Sequence, residues 1–376
     1  MDIARRTFLG GSAAAAGVAA AFPAFGQASA TAAPASHFGP ADGVAMLARN
    51  ENPYGPAPSA LAAAADAAAK GCYYADRGLR RLHEMIAERH SLSPSQVVIG
   101  AGSTEILSAI AIAWGRDGAI LCPGLFWDTT VQYGERQGVA AIRVPLAGNM
   151  NVDLDAMEAA FGDHVSLVQV CNPNNPTGML VDAAGLRALA ARVTPSATLL
   201  VDEAYNELAD DPAGKSVVDL VRMGHDVIVC RTFSKIYGMA GMRVGYALTS
   251  EENAQRIRGH MMSFGGNTCG LAAAIASYDD TGFLDASRAA ILEGRQMILD
   301  AAARSGCTAL PSQTNFVYIE VPDADAVQAA MEQRGILIRP AYGQWTQYSR
   351  VSTGKIEDVA RYAAALPEVI DEVGSA

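Results

Sequence analysis

Between residues 97 and 235 the sequence repeats one pattern. A short apolar run empties into a turn that carries a polar side chain, and a helical segment follows. The runs are residues 97–99, 119–122, 139–144, 165–171, 198–201 and 226–230. Apolar runs of this length, bounded by turn residues, read as buried strands. Strands alternating with helices predict an α/β fold: a mostly parallel sheet with helices on both faces. In such sheets the loops at the carboxyl ends of the strands build the ligand site. Ser103, Trp127, Asn175, Asp202 and Lys235 all lie just past such ends. A buried acid at a strand end is costly unless paired, so the convergence itself points to a polar ligand.

The individual turns carry different chemistry. Gly100-Ala-Gly-Ser-Thr-Glu105 runs from a strand into a helix, and free N–H groups at a helix start suit an anion. Asn172-Pro-Asn-Asn-Pro-Thr-Gly178 is nearly all turn residues, so it holds an asparagine in a fixed direction. Asp202 is followed by Glu203, Ala204 and Tyr205, and Glu203 reads as a surface or helix-dipole charge. The run at 226–230 leads to Ser234 and Lys235, then to a glycine-bearing loop and Arg243. Alone, that lysine would be a solvated loop residue; beside the other strand ends it is an amine near a bound anion.

The pattern changes near residue 276. A long helix at 283–305, a strand at 315–320, a helix at 324–333, short strands at 336–338 and 349–352 and a last helix at 356–366 predict a smaller α+β domain. Arg339 and Arg350 fall at strand ends there. The expected organisation is an arm over 31–58, a large domain over 59–275 and a small domain over 276–376. In the first helix, predicted over 59–70, Ser59 is the expected N-cap.

Residues 1–30 stand apart. Arg5-Arg6-Thr-Phe-Leu9, a modest Ala- and Gly-rich apolar stretch and Ala28-Ser-Ala30 resemble a Tat export signal. The stretch is too short and weak for a spanning helix. This predicts export to the periplasm by the Tat translocase. A net charge of −11 argues against a general nucleic-acid or anionic-membrane surface. The six cysteines include no C-x-x-C and no zinc spacing, and the six histidines show no metal or triad pattern.

A lysine, an aspartate, a tyrosine, an asparagine, an arginine and a helix start around one cleft match the needs of pyridoxal phosphate. Its aldehyde condenses with a lysine amine. Its ring nitrogen needs a buried carboxylate, and its phosphate wants arginine, hydroxyls and free N–H groups. The motifs Asn50-Glu-Asn-Pro-Tyr-Gly-Pro56, Asn172-Pro-Asn-Asn-Pro-Thr-Gly178, Asp202-Glu-Ala-Tyr205 and Arg231-Thr-Phe-Ser-Lys235 through Arg243 resemble fold type I pyridoxal-phosphate aminotransferases of class I/II, within them the histidinol-phosphate aminotransferase group. The resemblance runs from about residue 46 to the C-terminus.

The resemblance implies roles. Lys235 carries the cofactor and shuttles the substrate proton; Asp202 pairs with the ring nitrogen; Tyr205 and Asn175 bond the ring oxygen. Ser234, Arg243, Ser103 and Thr104 hold the phosphate, with Thr232 assisting. Tyr54 resembles the tyrosine that reaches the neighbouring subunit's phosphate, which implies a homodimer. Arg350 is similar to the arginine that clamps the substrate carboxylate, and Arg339 is a second candidate anion contact. One loop departs from the family pattern: Pro123-Gly-Leu-Phe-Trp-Asp128 offers Trp127 or Phe126 where a tyrosine usually stacks on the ring. The implied reaction is amino transfer between an amino acid or amine and a 2-oxo acid. Decarboxylases, lyases and cyclases share the scaffold, and a non-catalytic cofactor-binding protein is the remaining alternative. Export argues against histidinol phosphate as the donor, since that intermediate is made and used inside the cell.

Overall fold

A computed structural model describes residues 37–263 and 265–375. The twin-arginine segment lies outside the described residues. From Pro40 onward the chain is one compact unit.

The strands are β1 (Ala45–Met46), β2 (Val97–Gly100), β3 (Ala119–Pro123), β4 (Ala141–Val144), β5 (Val165–Cys171), β6 (Thr198–Asp202), β7 (Val227–Thr232), β8 (Gly245–Leu248), β9 (Phe316–Glu320), β10 (Ile336–Leu337) and β11 (Tyr348–Ser352). Seven of them form one sheet in the order β2-β8-β7-β6-β5-β3-β4. All its pairings are parallel except those of β8, which runs antiparallel to β2 and β7. This is the mostly parallel α/β sheet that the alternating runs predict.

Both faces of the sheet are covered, so its central strands are mostly apolar. Every residue of β6 and β7 is buried. Successive residues still alternate between faces. Leu199, Val201, Val227 and Val229 point into one core, with Leu82, Ile86, Leu186 and Leu271. Leu200, Ile228 and Cys230 point into the other, with Ile106, Ile110 and Trp114. Each fully buried side chain of this kind contributes about 1.5–3 kcal/mol. The helices that supply these partners are α1 (Pro58–Ala68), α2 (Asp76–His90), α3 (Ser103–Gly115), α4 (Thr129–Arg136), α5 (Leu154–Ala160), α6 (Ala183–Val193), α7 (Pro212–Lys215), α8 (Val218–Arg222), α9 (Glu251–Arg258) and α10 (Thr268–Tyr278).

Three further helices, α11 (Thr281–Arg304), α12 (Ala324–Gln333) and α13 (Ile356–Gly374), pack with β9 and β11 around a separate apolar cluster. β9 and β11 pair antiparallel. β1 pairs in parallel with β10, so the segment near residue 45 packs with elements from the far end of the chain. Among the described residues no helix is long and apolar enough to cross a membrane.

Two local expectations change. Ser59 does not cap α1: Pro58 opens that helix after Ala57, and the Ser59 hydroxyl donates to Asp280 at 2.7 Å instead. Proline suits the first helical turn because its missing N–H needs no partner there. α9 and α10 were not foreseen. Their caps were legible, since Ser250 accepts from the Asn253 N–H and Asn267 from the Cys269 and Gly270 N–H groups.

Candidate active site

The carboxyl ends of β5, β6 and β7 bring Cys171, Asp202 and Cys230 into register. They open into a cleft of about 650 Å³. Twelve of the thirteen site residues predicted from sequence line it: Ser103, Thr104, Trp127, Asn175, Asp202, Tyr205, Thr232, Ser234, Lys235, Arg243, Arg339 and Arg350. Tyr54 is the exception. It is half-exposed, and its hydroxyl accepts the Ile356 N–H at 2.9 Å.

Asp202 is 4 % exposed. Its carboxylate accepts a hydrogen bond from the Ala204 N–H at 3.2 Å. Burial pushes its pKa up to about 7, against the pull of that N–H and of Lys235. Lys235 donates to the Asn50 carbonyl at 3.3 Å. Burial lowers its pKa to about 8; Arg350 pushes the same way and Asp202 opposes. The amine is therefore far easier to deprotonate than a surface lysine, as a nucleophile requires.

Tyr205 is buried against Phe316, and burial raises its pKa. Its hydroxyl accepts from Asn50 at 3.0 Å and from Asn175 at 3.4 Å. The 172–178 loop is braced by the Asn172 side chain, which accepts the Val181 N–H, and by Asn174, which donates to the Leu125 carbonyl. Asn175 Oδ1 faces Arg350 Nη1 at 2.9 Å and the Tyr342 hydroxyl at 3.2 Å.

The anion cradle has two walls. α3 starts at Ser103 with no side-chain cap on its first N–H groups. Opposite, the Thr232 hydroxyl donates to Ser234, and Arg243 reaches Ser234 Oγ at 3.4 Å. Arg243 itself has a left-handed backbone (φ 55). A Cβ added at Gly102, where φ is +76, would strike its guanidinium. Glycine is required at that bend on both counts. Phe126 and Trp127 both line the cleft; Phe126 is buried in the core and Trp127 half-buried.

The expected surface position of Glu203 is wrong. Glu203 is 1 % exposed and pairs with Arg231 at 2.8 Å. It also accepts from Ser216 Oγ and the Val217 N–H, each at 2.9 Å. A buried carboxylate needs such a set of donors, and the pair ties the end of β6 to β7. Sequence reasoning also missed Asn50 and Tyr342 as cleft residues. Asn50 sits within a turn-rich motif and adopts φ 57, a conformation asparagine tolerates. Tyr342 carried no comparable signal.

Comparison with known proteins bears directly on this arrangement. The profile of the family described as "Aminotransferase class I and II" matches residues 42–366. The chain belongs to that family. Among its relatives are histidinol-phosphate aminotransferases of Symbiobacterium thermophilum, 36 % identical over 87 % of this chain and 90 % of the relative, and of Brevibacillus brevis, 33 % identical over 87 % and 90 %. The crystal structure of histidinol-phosphate aminotransferase from Sinorhizobium meliloti in complex with pyridoxal-5'-phosphate is 34 % identical and covers 88 % of this chain and 92 % of that one, with a TM-score of 0.80.

This aminotransferase uses pyridoxal phosphate, and its residues fit that group. Asp202 is a buried carboxylate with no ion-pair partner among the described residues for a ring N–H to displace. The uncapped start of α3, with Arg243 and Ser234, suits a phosphate. Lys235 offers an amine between them. When bound, the cofactor supplies an electron sink for the charge left at the amino carbon. The protein's part would be to hold and move protons: Asp202 would keep the ring nitrogen protonated, and a buried ion pair at an effective dielectric near 20 is worth about 4 kcal/mol. Lys235, as the cleft's amine, would take and return the substrate proton.

Proposed function

We propose that Lys235, Asp202 and Arg350 are the working residues of a transaminase that moves an amino group between a carboxylate-bearing donor and a 2-oxo acid. One observation supports this reading above the others. All three are charged groups at one cleft, and none belongs to any ion pair among the described residues. Lys235 holds the cofactor and carries the proton. Asp202 faces the ring nitrogen, and Tyr205 and Asn175 the ring oxygen. Ser103, Thr104, Ser234 and Arg243 hold the phosphate, with Thr232 behind Ser234, and Trp127 lies against the ring. Arg350 meets the substrate carboxylate, and Arg339 is a second anion contact.

The relatives' names make histidinol phosphate the first donor to try. The expected export of this chain makes aromatic and other amino acids equal candidates. A donor screen that follows conversion of the bound cofactor to its amino form tests the reading. Release of carbon dioxide without that conversion would replace transamination with decarboxylation.

The active form is a homodimer in which Tyr54 serves the neighbouring cleft, a reading supported by its absence from its own cleft. Mixing a Tyr54→Phe protomer with a Lys235→Ala protomer should give more activity than the mean of the two parent proteins, because each mixed dimer keeps one cleft with both Lys235 and a Tyr54; activity equal to that mean would remove Tyr54 from the neighbouring cleft. Export through the Tat translocase to the periplasm is tested by replacing Arg5 and Arg6 with lysine, where unchanged export would reject it.

A further inference from the structure

Arg339 and Arg350 face each other across an isolated antiparallel bridge. Like charges in that position repel, and neither has a carboxylate partner among the described residues. Between them lies Tyr342. Its ring centroid is 4.1 Å from the Arg339 guanidinium carbon and 5.5 Å from that of Arg350. A ring face attracts a cation, so one side chain seats both. The ring is held edge-on to Tyr318, with centroids 6.3 Å apart.

The hydroxyl of Tyr342 acts on Arg350 in a directional way. It donates to Asn175 Oδ1 and accepts from Arg350 Nη1. The other contact of Nη1 is Asn175 Oδ1 at 2.9 Å, so Nη1 is fully committed. Nη2 donates to the Ala48 carbonyl at 2.6 Å. Nε is buried and has no partner among the described residues. A guanidinium binds a carboxylate as a fork through two neighbouring N–H groups. With Nη1 taken, the edge left to a ligand is Nε with Nη2. Arg339 Nε is also buried without a partner among the described residues.

We propose that Tyr342 is a positioning residue that sets substrate choice. Its hydroxyl locks the Nη1 end of Arg350, so that the Nε–Nη2 edge meets the first carboxylate. Its ring seats Arg339 for a second anionic group on the same substrate. The inference rests on the reading of Arg350 as the carboxylate contact.

Calorimetric titration of the cofactor-loaded protein with propionate and with succinate separates the possibilities. The wild-type protein should prefer succinate. Tyr342→Phe keeps the ring and loses the hydroxyl, so both acids should weaken about tenfold with their ratio unchanged. Tyr342→Ala should also erase the succinate preference, matching Arg339→Gln within about twofold. A general folding defect would weaken both acids alike and leave the ratio intact, so retention of the ratio in Tyr342→Ala overturns the role of the ring. If both Tyr342 variants bind both acids like wild type while Arg350→Gln loses propionate, Tyr342 has no positioning role and Arg350 keeps its own. If Arg350→Gln binds propionate normally, both readings fall. A wild-type protein without a succinate preference also overturns the proposal.

Discussion

Replacing Asp202 with asparagine should stabilise the cofactor-free protein at pH 8 while nearly abolishing turnover. In the folded chain burial lifts the Asp202 pKa from an ordinary 3.8 to about 7. The unfolded chain releases its proton near pH 4, and the folded chain holds it until about pH 7. The folded state therefore binds more protons across that window, and its stability falls as pH rises through it. Above pH 7 the whole penalty is present. At about 1.4 kcal/mol per pH unit it amounts to roughly 4 kcal/mol. Asparagine can keep the Ala204 N–H contact and carries no such cost. The charge of Asp202 also eases protonation of Lys235, so the expected gain is about 2–4 kcal/mol at pH 8, shrinking toward zero at pH 4. Urea unfolding of both cofactor-free proteins across this range measures it. Parallel stability curves would refute the reasoning. In the loaded enzyme the sign reverses. Asparagine cannot hold a ring nitrogen protonated, and the loss of about 4 kcal/mol corresponds to about a thousandfold in rate.

Other perturbations test separate parts of the site. Glu203→Ala strands the buried Arg231 charge and should cost about 3–5 kcal/mol in urea unfolding; a cost below about 1 kcal/mol would mean the pair is solvated. Gly102→Ala pushes the Arg243 guanidinium off the phosphate cradle and should weaken cofactor retention about tenfold or more in equilibrium dialysis, a change of about 1.4 kcal/mol. Capture of cofactor by the free protein should speed up with pH and level off above about pH 8, where Lys235 becomes neutral. Arg350→Gln removes one of the groups that lowers that pKa, so the midpoint should move up; a stopped-flow midpoint that stays or falls contradicts the assignment. The same variant should hurt carboxylate substrates more than a decarboxylated amine, and equal losses would argue against a carboxylate clamp.

The sheet was legible in sequence because its central strands are covered on both faces. Such strands are mostly apolar, and β5, β6 and β7 stand out as apolar runs that give way to Asn172, Asp202 and Arg231. That made Asn175, Asp202 and Lys235 visible as neighbours before any coordinates. What escaped was set by distant pairing. Glu203 looks like any acid after a strand, and its burial makes sense only with Arg231 on the next strand. The two-residue strand β1 has no periodicity to detect, and its pairing with the predicted strand β10 joins opposite ends of the chain. Asn50 enters the cleft because its N–H donates to Ser352 Oγ and its carbonyl accepts from Asn315, both far along the chain. Tyr342 earned its place through a bridge between two arginines that no spacing rule describes.

The pairing of β1 with β10 also bears on how the protein is made. Ala48 anchors Arg350 through its carbonyl, and Asn50 meets Ser352. These contacts join the start of the described chain to its last strand, so the ribosome must release nearly the whole polypeptide before they can close. Pairings of such long range are slow to form because loop closure precedes any reward. The central sheet, built from consecutive segments, can assemble earlier. A nascent chain can therefore assemble the sheet wall of the cleft before Arg350 reaches it.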